Sequence, residues 1–230
     1  MGIKERQERS RESVRRAILD AARDLFVRDG FEHVSIRRIA ELIEYSPAAI
    51  YGYFPSKDDI FFALAEEGFG LLAGGQDVCA SRPTLRTPLD DIRDIFWRFY
   101  VFSREHPQYF ALMFVDRSVP RINREYERFA FAREMKARLL THVDASVAAG
   151  LLPATVPPTL IFRILTSALI GVAITRHSDR LGCGEDTDAL ARDVLDVTLA
   201  GLRTVPLIHS TSDPCPSDVP TDVVLDAQLS

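Results

Sequence analysis

Three serines, Ser35, Ser46 and Ser56, each stand where a helix can begin, and about 20 residues separate the first from the last. A serine hydroxyl at such a position accepts a hydrogen bond from a backbone N–H that the first helical turn leaves without a partner. The neighbours of each serine agree with this reading. Val34 and Ile39 can form a hydrophobic staple across Ser35, and Tyr45 and Ile50 can do the same across Ser46. Pro47 follows Ser46 at the first helical position, and Asp59 stands in capping-box position after Ser56. Three starts in so short a span predict small helices packed at angles to one another.

Helical periodicity continues on both sides. Val14, Ala17, Ile18, Ala21, Ala22, Leu25 and Phe26 share one face of a first helix, which Gly30 ends. After Ser56 the chain reads EEGFGLLAGG. Gly68, Gly70, Gly74 and Gly75 each weaken a helix by roughly 1 kcal/mol relative to Ala, so the helix is expected to end or bend there. Gly68 to Ala73 has the GxGxxA spacing, but no strand precedes it, so dinucleotide binding is not supported. Residues 76–87 read as a loop. Further helices are expected from Pro88 to the break at His106-Pro107, from Tyr109 to Val115, and from Pro120 to about Gly150. The last two run from Pro158 to about His177 and from Asp186 to Leu202. No run of alternating β-branched residues appears. The expected class is all-α, with a small domain over residues 11–71 and a larger one over residues 72–205. Residues 1–10 read as a flexible basic arm. Residues 206–230, with four Asp and no Lys or Arg, read as a disordered acidic tail.

Charge narrows the function. The net charge is −5, which argues against a protein that coats nucleic acid. Residues 1–57 nevertheless carry 11 Lys+Arg against 9 Asp+Glu, a net of +2, which leaves −7 for the rest. A basic end on an acidic body suits a protein that meets DNA at one end only. Cys79, Cys183 and Cys215 are widely spaced, and neither they nor the five histidines show ligand spacing, so no metal or cofactor is expected. The charged start MGIKERQERSRE has no apolar signal region, and the apolar stretch from Leu160 to Ile174 contains Arg163. A cytoplasmic protein that makes no membrane contact is expected.

The stretch AILDAARDLFVRDGFEHVSIRRIAELIEYSPAAIYGYFPSKDDIF resembles the DNA-binding domain of the TetR family, over roughly residues 11–62. The matching features are the alanine-rich first helix, the Ser-Ile-Arg-Arg-Ile-Ala second helix and the Ile-Tyr-Gly-Tyr-Phe-Pro-Ser-Lys close. The resemblance implies a helix-turn-helix regulator, not an enzyme, that binds double-stranded operator DNA. It also implies a homodimer built through helices 158–177 and 186–202, and a phosphate contact for Lys57. The larger domain would then bind a small-molecule effector and dimerise.

The residues support that reading independently. If Ile50, Phe54 and Tyr45 pack inward, Ala48, Ala49, Tyr51 and Tyr53 face out. Small side chains at 48 and 49 let the helix enter a major groove and touch thymine methyl groups. Tyr51 and Tyr53 can donate to phosphates, with Ser35, Ser46, Arg37 and Arg38 beside them. Lys57 sits in a helix's first turn, where the helix dipole disfavours a cation unless a phosphate binds there. Two features depart from the family pattern. Glu44 stands where a glycine usually takes a positive-φ turn, at a cost of about 1 kcal/mol. The recognition helix also carries no Arg, Asn, Gln or Lys, so it has no bidentate base readout. Specificity then rests on Arg37, Arg38, apolar contact and DNA shape.

In the larger domain, Trp97, Tyr100, Phe110, Phe114 and Phe129 are expected to wall an apolar pocket. Arg163, Thr166 and Ser167 are its candidate polar handles. Such a pocket suits a small, largely apolar or aromatic effector that releases a repressor from its operator. The alternatives are a redox-sensing regulator, or a ligand carrier or enzyme with a vestigial helix-turn-helix.

Overall fold

A computed structural model describes residues 3–74, 86–120, 130–178 and 180–204 of the chain. Every regular element among them is helical. Helix α1 (Ile3–Asp29) is followed by a 3-10 turn (Phe31–His33), α2 (Ile36–Leu42), α3 (Pro47–Tyr51) and α4 (Lys57–Gly74). Then come α5 (Pro88–Glu105), α6 (Pro107–Phe110), α7 (Ala130–Ala148), α8 (Pro158–His177) and α9 (Thr187–Arg203). Helix α6 runs straight into a π-helical turn, Ala111–Val115, where the Asp116 N–H reaches back five residues to the Ala111 carbonyl at 2.8 Å.

The sequence signals act where they stand. The Ser35 hydroxyl accepts from Arg38 N–H and the Ser46 hydroxyl from Ala49 N–H, both at 3.2 Å. Ser56 accepts from Asp59 N–H at 3.2 Å and donates its own proton to the Asp59 carboxylate at 2.7 Å. Thr87 and Asp90 form a reciprocal capping box at the start of α5. Gly30 leaves α1 with φ +81°.

Two expectations are corrected, on residues 3–10 and on Tyr45. Helix begins at Ile3, so residues 3–10 extend α1 instead of forming an arm. Helix α4 runs past Gly68 and Gly70 and ends at Gly74, one of the glycines expected to end or bend it. Gly68 is buried against the π turn, and a Cβ there would collide with Met113 Sδ, so the glycine serves a close approach. Tyr45 is exposed and does not join Ile50 and Phe54 in the core. The expected tail and Cys79 and Cys215 lie outside the described residues, while Cys183 is exposed.

One core cluster runs from Ile18 to Leu202. Helix α9 packs along α8, and α5 lies against α7, α8 and α9. Helix α8 has the length and composition to cross a membrane, the one such helix among the described residues. Ile161, Leu165, Leu169, Val172 and Ala173 are nevertheless buried inside this chain.

Candidate nucleic-acid interface and effector cavity

The turn between α2 and α3 sets the interface. Tyr45 N–H donates to the Ala40 carbonyl at 2.9 Å and Glu44 N–H to the Glu41 carbonyl at 3.3 Å. This pair of bonds closes a helix C-terminus with the residue at Glu44 in the left-handed region, and its φ is +59°. Helix α3 therefore starts on a fixed turn, with its Ile50 anchor fully buried. Its outer face presents Pro47, Ala48 and Tyr51, with Tyr51 at 55% exposure, while Ala49 and Tyr53 are half-buried.

The nearby cations are held within the fold. Arg37 pairs with Glu41 and Arg38 with Asp29, each at 3.1 Å. Lys57 donates to the Phe31 carbonyl at 2.7 Å, and its ammonium lies 4.1 Å from the Phe31 ring centroid. That arrangement offsets the dipole penalty of a lysine in the first turn of α4 without any phosphate. The Arg37–Glu41 pair is exposed and exchanges easily with a phosphate, while Asp29 in the other pair is half-buried. Two side chains absent from the sequence reading also stand here. The Arg11 guanidinium lies 5.8 Å from the Tyr53 ring centroid and that of Arg15 lies 5.3 Å from the Phe54 ring centroid. Their separation from α3 in sequence hid them.

Among the described residues, two cavities of the larger domain bear on the expected pocket. One, of about 50 Å³, is lined by Phe69 of α4, Ile95, Phe96 and Phe99 of α5, Phe114, Met135 and Leu139 of α7, and Phe162 and Thr166 of α8. Of the expected wall, Phe114 and Thr166 line it. Phe110 stacks on Phe99 and Phe114 with ring centroids 5.6 and 5.4 Å away, and borders a second cavity of about 130 Å³ between α6 and the end of α8. The other expected residues lie elsewhere. Tyr100 is fully buried and donates to Asp188 at 2.7 Å, and burial pushes its hydroxyl up to about 12. Trp97 packs on Tyr100, with the Arg192 guanidinium 4.6 Å from its ring centroid. Arg163 and Ser167 are exposed on the opposite face of α8. Phe129 lies outside the described residues.

The small domain meets the larger one through α1. The Arg23 guanidinium sits 5.6 Å from the ring centroid of Tyr109 in α6, while Arg16 forms an ion pair with Glu67 of α4 inside the small domain. Arg16 also grips Asp20 with two hydrogen bonds and holds its carboxyl below the usual range.

A capped helix-turn-helix fixed to a helical body defines a DNA-binding transcription regulator. Residues 18–64 match the family described as bacterial regulatory proteins, tetR family, and residues 94–198 match the tetracyclin repressor-like C-terminal domain. The chain belongs to the tetR family. The HTH-type transcriptional repressor AcnR of Corynebacterium diphtheriae is 26% identical over 195 residues, 83% of this chain and 92% of that protein. The HTH-type transcriptional repressor Rv1474c of Mycobacterium tuberculosis is 45% identical over 53 residues, 23% of this chain and 28% of that protein. The fold matches PfmR of Thermus thermophilus, with a TM-score of 0.60 and 23% identity over 80% of this chain and 98% of that one. It also matches FadR of Bacillus subtilis in complex with stearoyl-CoA, with a TM-score of 0.64 and 15% identity over 80% of this chain and 97% of that one.

Proposed function

We propose that the chain is a homodimeric repressor, released from operator DNA by a small, largely apolar or aromatic effector. The observation that carries the effector reading is the cavity lined by Phe69, Ile95, Phe96, Phe99, Phe114, Met135, Leu139, Phe162 and Thr166. Its wall offers Thr166 as the polar handle and no charge, so a polyanion would be desolvated there without compensation. In the FadR structure, which holds stearoyl-CoA, only the stearoyl chain of the ligand has the apolar character that this wall suits, because the coenzyme A part is a polyanion.

At about 50 Å³ the cavity is far smaller than a pocket of several hundred Å³ that encloses a whole ligand. Effector entry must therefore part the helices around it. Phe114 belongs to the π turn whose Met113 rests on Gly68 of α4, and Tyr109 of the adjoining α6 meets Arg23 of α1. Displacing that segment would shift the small domain, and binding to the displaced state would draw the dimer away from DNA. The dimer reading rests on exposed apolar surface along α8 and α9, Ile174 at 42% and Val197 at 72% exposure.

Selection from a random duplex pool, followed by fluorescence anisotropy on the selected operator, tests this. Lys57→Ala should lower the salt slope by about one unit per half-site, and Tyr51→Phe should cost about 1 kcal/mol per subunit. Thr166→Phe should blunt release by apolar compounds and leave effector-free affinity intact. Failure to select any sequence, or release by polyanions alone, would overturn the proposal.

A further inference from the structure

The larger of the two cavities, of about 130 Å³, lies between α6, the π turn and the end of α8 and plays no part in the effector reading. Phe110 and Ala173, at 5% and 2% exposure, form its base, while Val115 and Ile174, each at 42%, stand at its rim. Its buried serine is already engaged. The Ser103 hydroxyl donates to the Tyr100 carbonyl and the Ser103 carbonyl accepts from Arg176, both at 2.6 Å. Among the described lining residues, the other polar side chain is the exposed imidazole of His177. A trapped water needs about two to four polar partners, whereas an apolar cavity of about 150 Å³ stays dry and takes up benzene. The base also offers the Phe110 ring, against which a second ring can pack edge to face.

The wall between this cavity and the smaller one is shared. Ala111 and Val115 of the π turn line the larger cavity, and Phe114 of the same turn lines the smaller one. Phe110 borders the larger cavity and packs on Phe99 and Phe114, which both line the smaller, with ring centroids 5.6 and 5.4 Å away. A molecule seated on Phe110 therefore braces the rings that an effector has to push aside. The larger cavity exists while the smaller one is closed to about 50 Å³. Its occupant thus binds that closed arrangement best and opposes the parted one.

We propose that the larger cavity is a second ligand site, for a neutral aromatic molecule of benzene to indole size, and that its occupant hinders effector entry across the shared wall. The coupling, though not the site itself, rests on the effector reading above. By reciprocity an effector weakens binding of the aromatic ligand to the same degree.

Indole is the probe, titrated into the full-length chain by calorimetry, which should show a single site per chain. Ala111→Leu and Ala173→Leu fill the cavity from the π turn and from α8, and each should weaken indole binding about tenfold or more. Thr166→Phe, in the smaller cavity, should leave indole binding in place. Circular dichroism and melting check that each variant is folded. Saturating indole should raise the concentration of 1-decanol that releases operator DNA by about fivefold or more, and Ala111→Leu should abolish that shift. Indole affinity unchanged in both leucine variants, or lost in Thr166→Phe, overturns the second site. Indole affinity that falls as protein concentration rises means that a second copy covers the rim, and overturns the site as well. A decanol midpoint unmoved by bound indole overturns the coupling alone. Operator DNA that decanol never releases from wild type overturns the effector reading and the coupling with it, while the indole site stands on its own calorimetry.

Discussion

The two ends of this molecule are held together by different kinds of information. In the DNA-binding end, each helix start is written beside the helix it starts: Ser35, Ser46 and Ser56 all accept or exchange hydrogen bonds three residues on. In the helical body the decisive contacts join distant segments, such as Tyr100 with Asp188 and Arg176 with the Ser103 carbonyl at 2.6 Å. A region built from local bonds keeps its geometry while the body around it changes. A region built from long-range packing can shift as a unit. That contrast suits a rigid reading head on a responsive body.

The largest effect should come where the body shows apolar surface to water. Val197→Glu changes a side chain at 72% exposure, so the monomer fold should tolerate it. If α8 and α9 pair two chains, the new carboxylate is buried without a partner. Light scattering should then report monomers, and operator affinity should fall by about a hundredfold or more as the two half-sites lose their linkage. Dimers with wild-type affinity would place the interface elsewhere. By contrast, Leu169 is 1% exposed inside one chain, and a charge there would damage the fold before any interface.

Next come two changes within the body itself. Tyr100→Phe removes a hydrogen bond to a charged group and should destabilise by about 1.5–3 kcal/mol, toward the lower figure because Arg104 stays on Asp188 at 2.5 Å. Its pH signature is specific. The folded hydroxyl titrates at about 12 against an ordinary 10.0, so the folded state holds that proton more tightly. Its contribution is full below pH 10 and is lost as pH rises toward 12. Urea melts across that range should show a steeper alkaline loss in wild type than in Tyr100→Phe, and parallel curves would count against the burial. Gly68→Leu should cost about 1–3 kcal/mol through overpacking against Met113 and Tyr109. A neutral result would show that the π turn yields freely.

The same contrast explains what was legible in the sequence. Helix starts at Ser35, Ser46 and Pro88 were readable because a cap and its target lie within one turn, and the start at Pro158 because a proline suits the first helical position. The outward face of α8 was not, because Leu160, Ile164 and Ile170 make it apolar nearly all round, and periodicity cannot tell its inner side from its outer. Arg163 and Ser167 were assigned to the cavity on that ground and stand on the far side. Trp97 and Tyr100 were misplaced because α5 is packed on several sides, and its Tyr100 edge meets α9. The Lys57 bond to Phe31 spans 26 residues, and no local signal announces it.

The smallest effect tests the local end. Glu44 occupies, at φ +59°, a position where glycine carries no Cβ penalty. The two turn bonds from Glu44 and Tyr45 fix that φ, so the strain cannot relax without releasing the Ala40 and Glu41 carbonyls at the end of α2. Glu44→Gly keeps both bonds and removes the clash, but glycine also gives the unfolded chain more freedom, which offsets part of the gain. The net expectation is a stabilisation of about 1 kcal/mol or less, read as a raised melting temperature. The same substitution removes a carboxylate next to α3, so operator affinity should rise most at low salt, where charge repulsion is least screened. Glu44→Gln separates the two contributions: it keeps the strained backbone and loses only the charge. Glutamine should therefore reproduce the gain in affinity without the gain in stability. A glycine variant less stable than wild type would mean that the Glu44 side chain itself supports the turn.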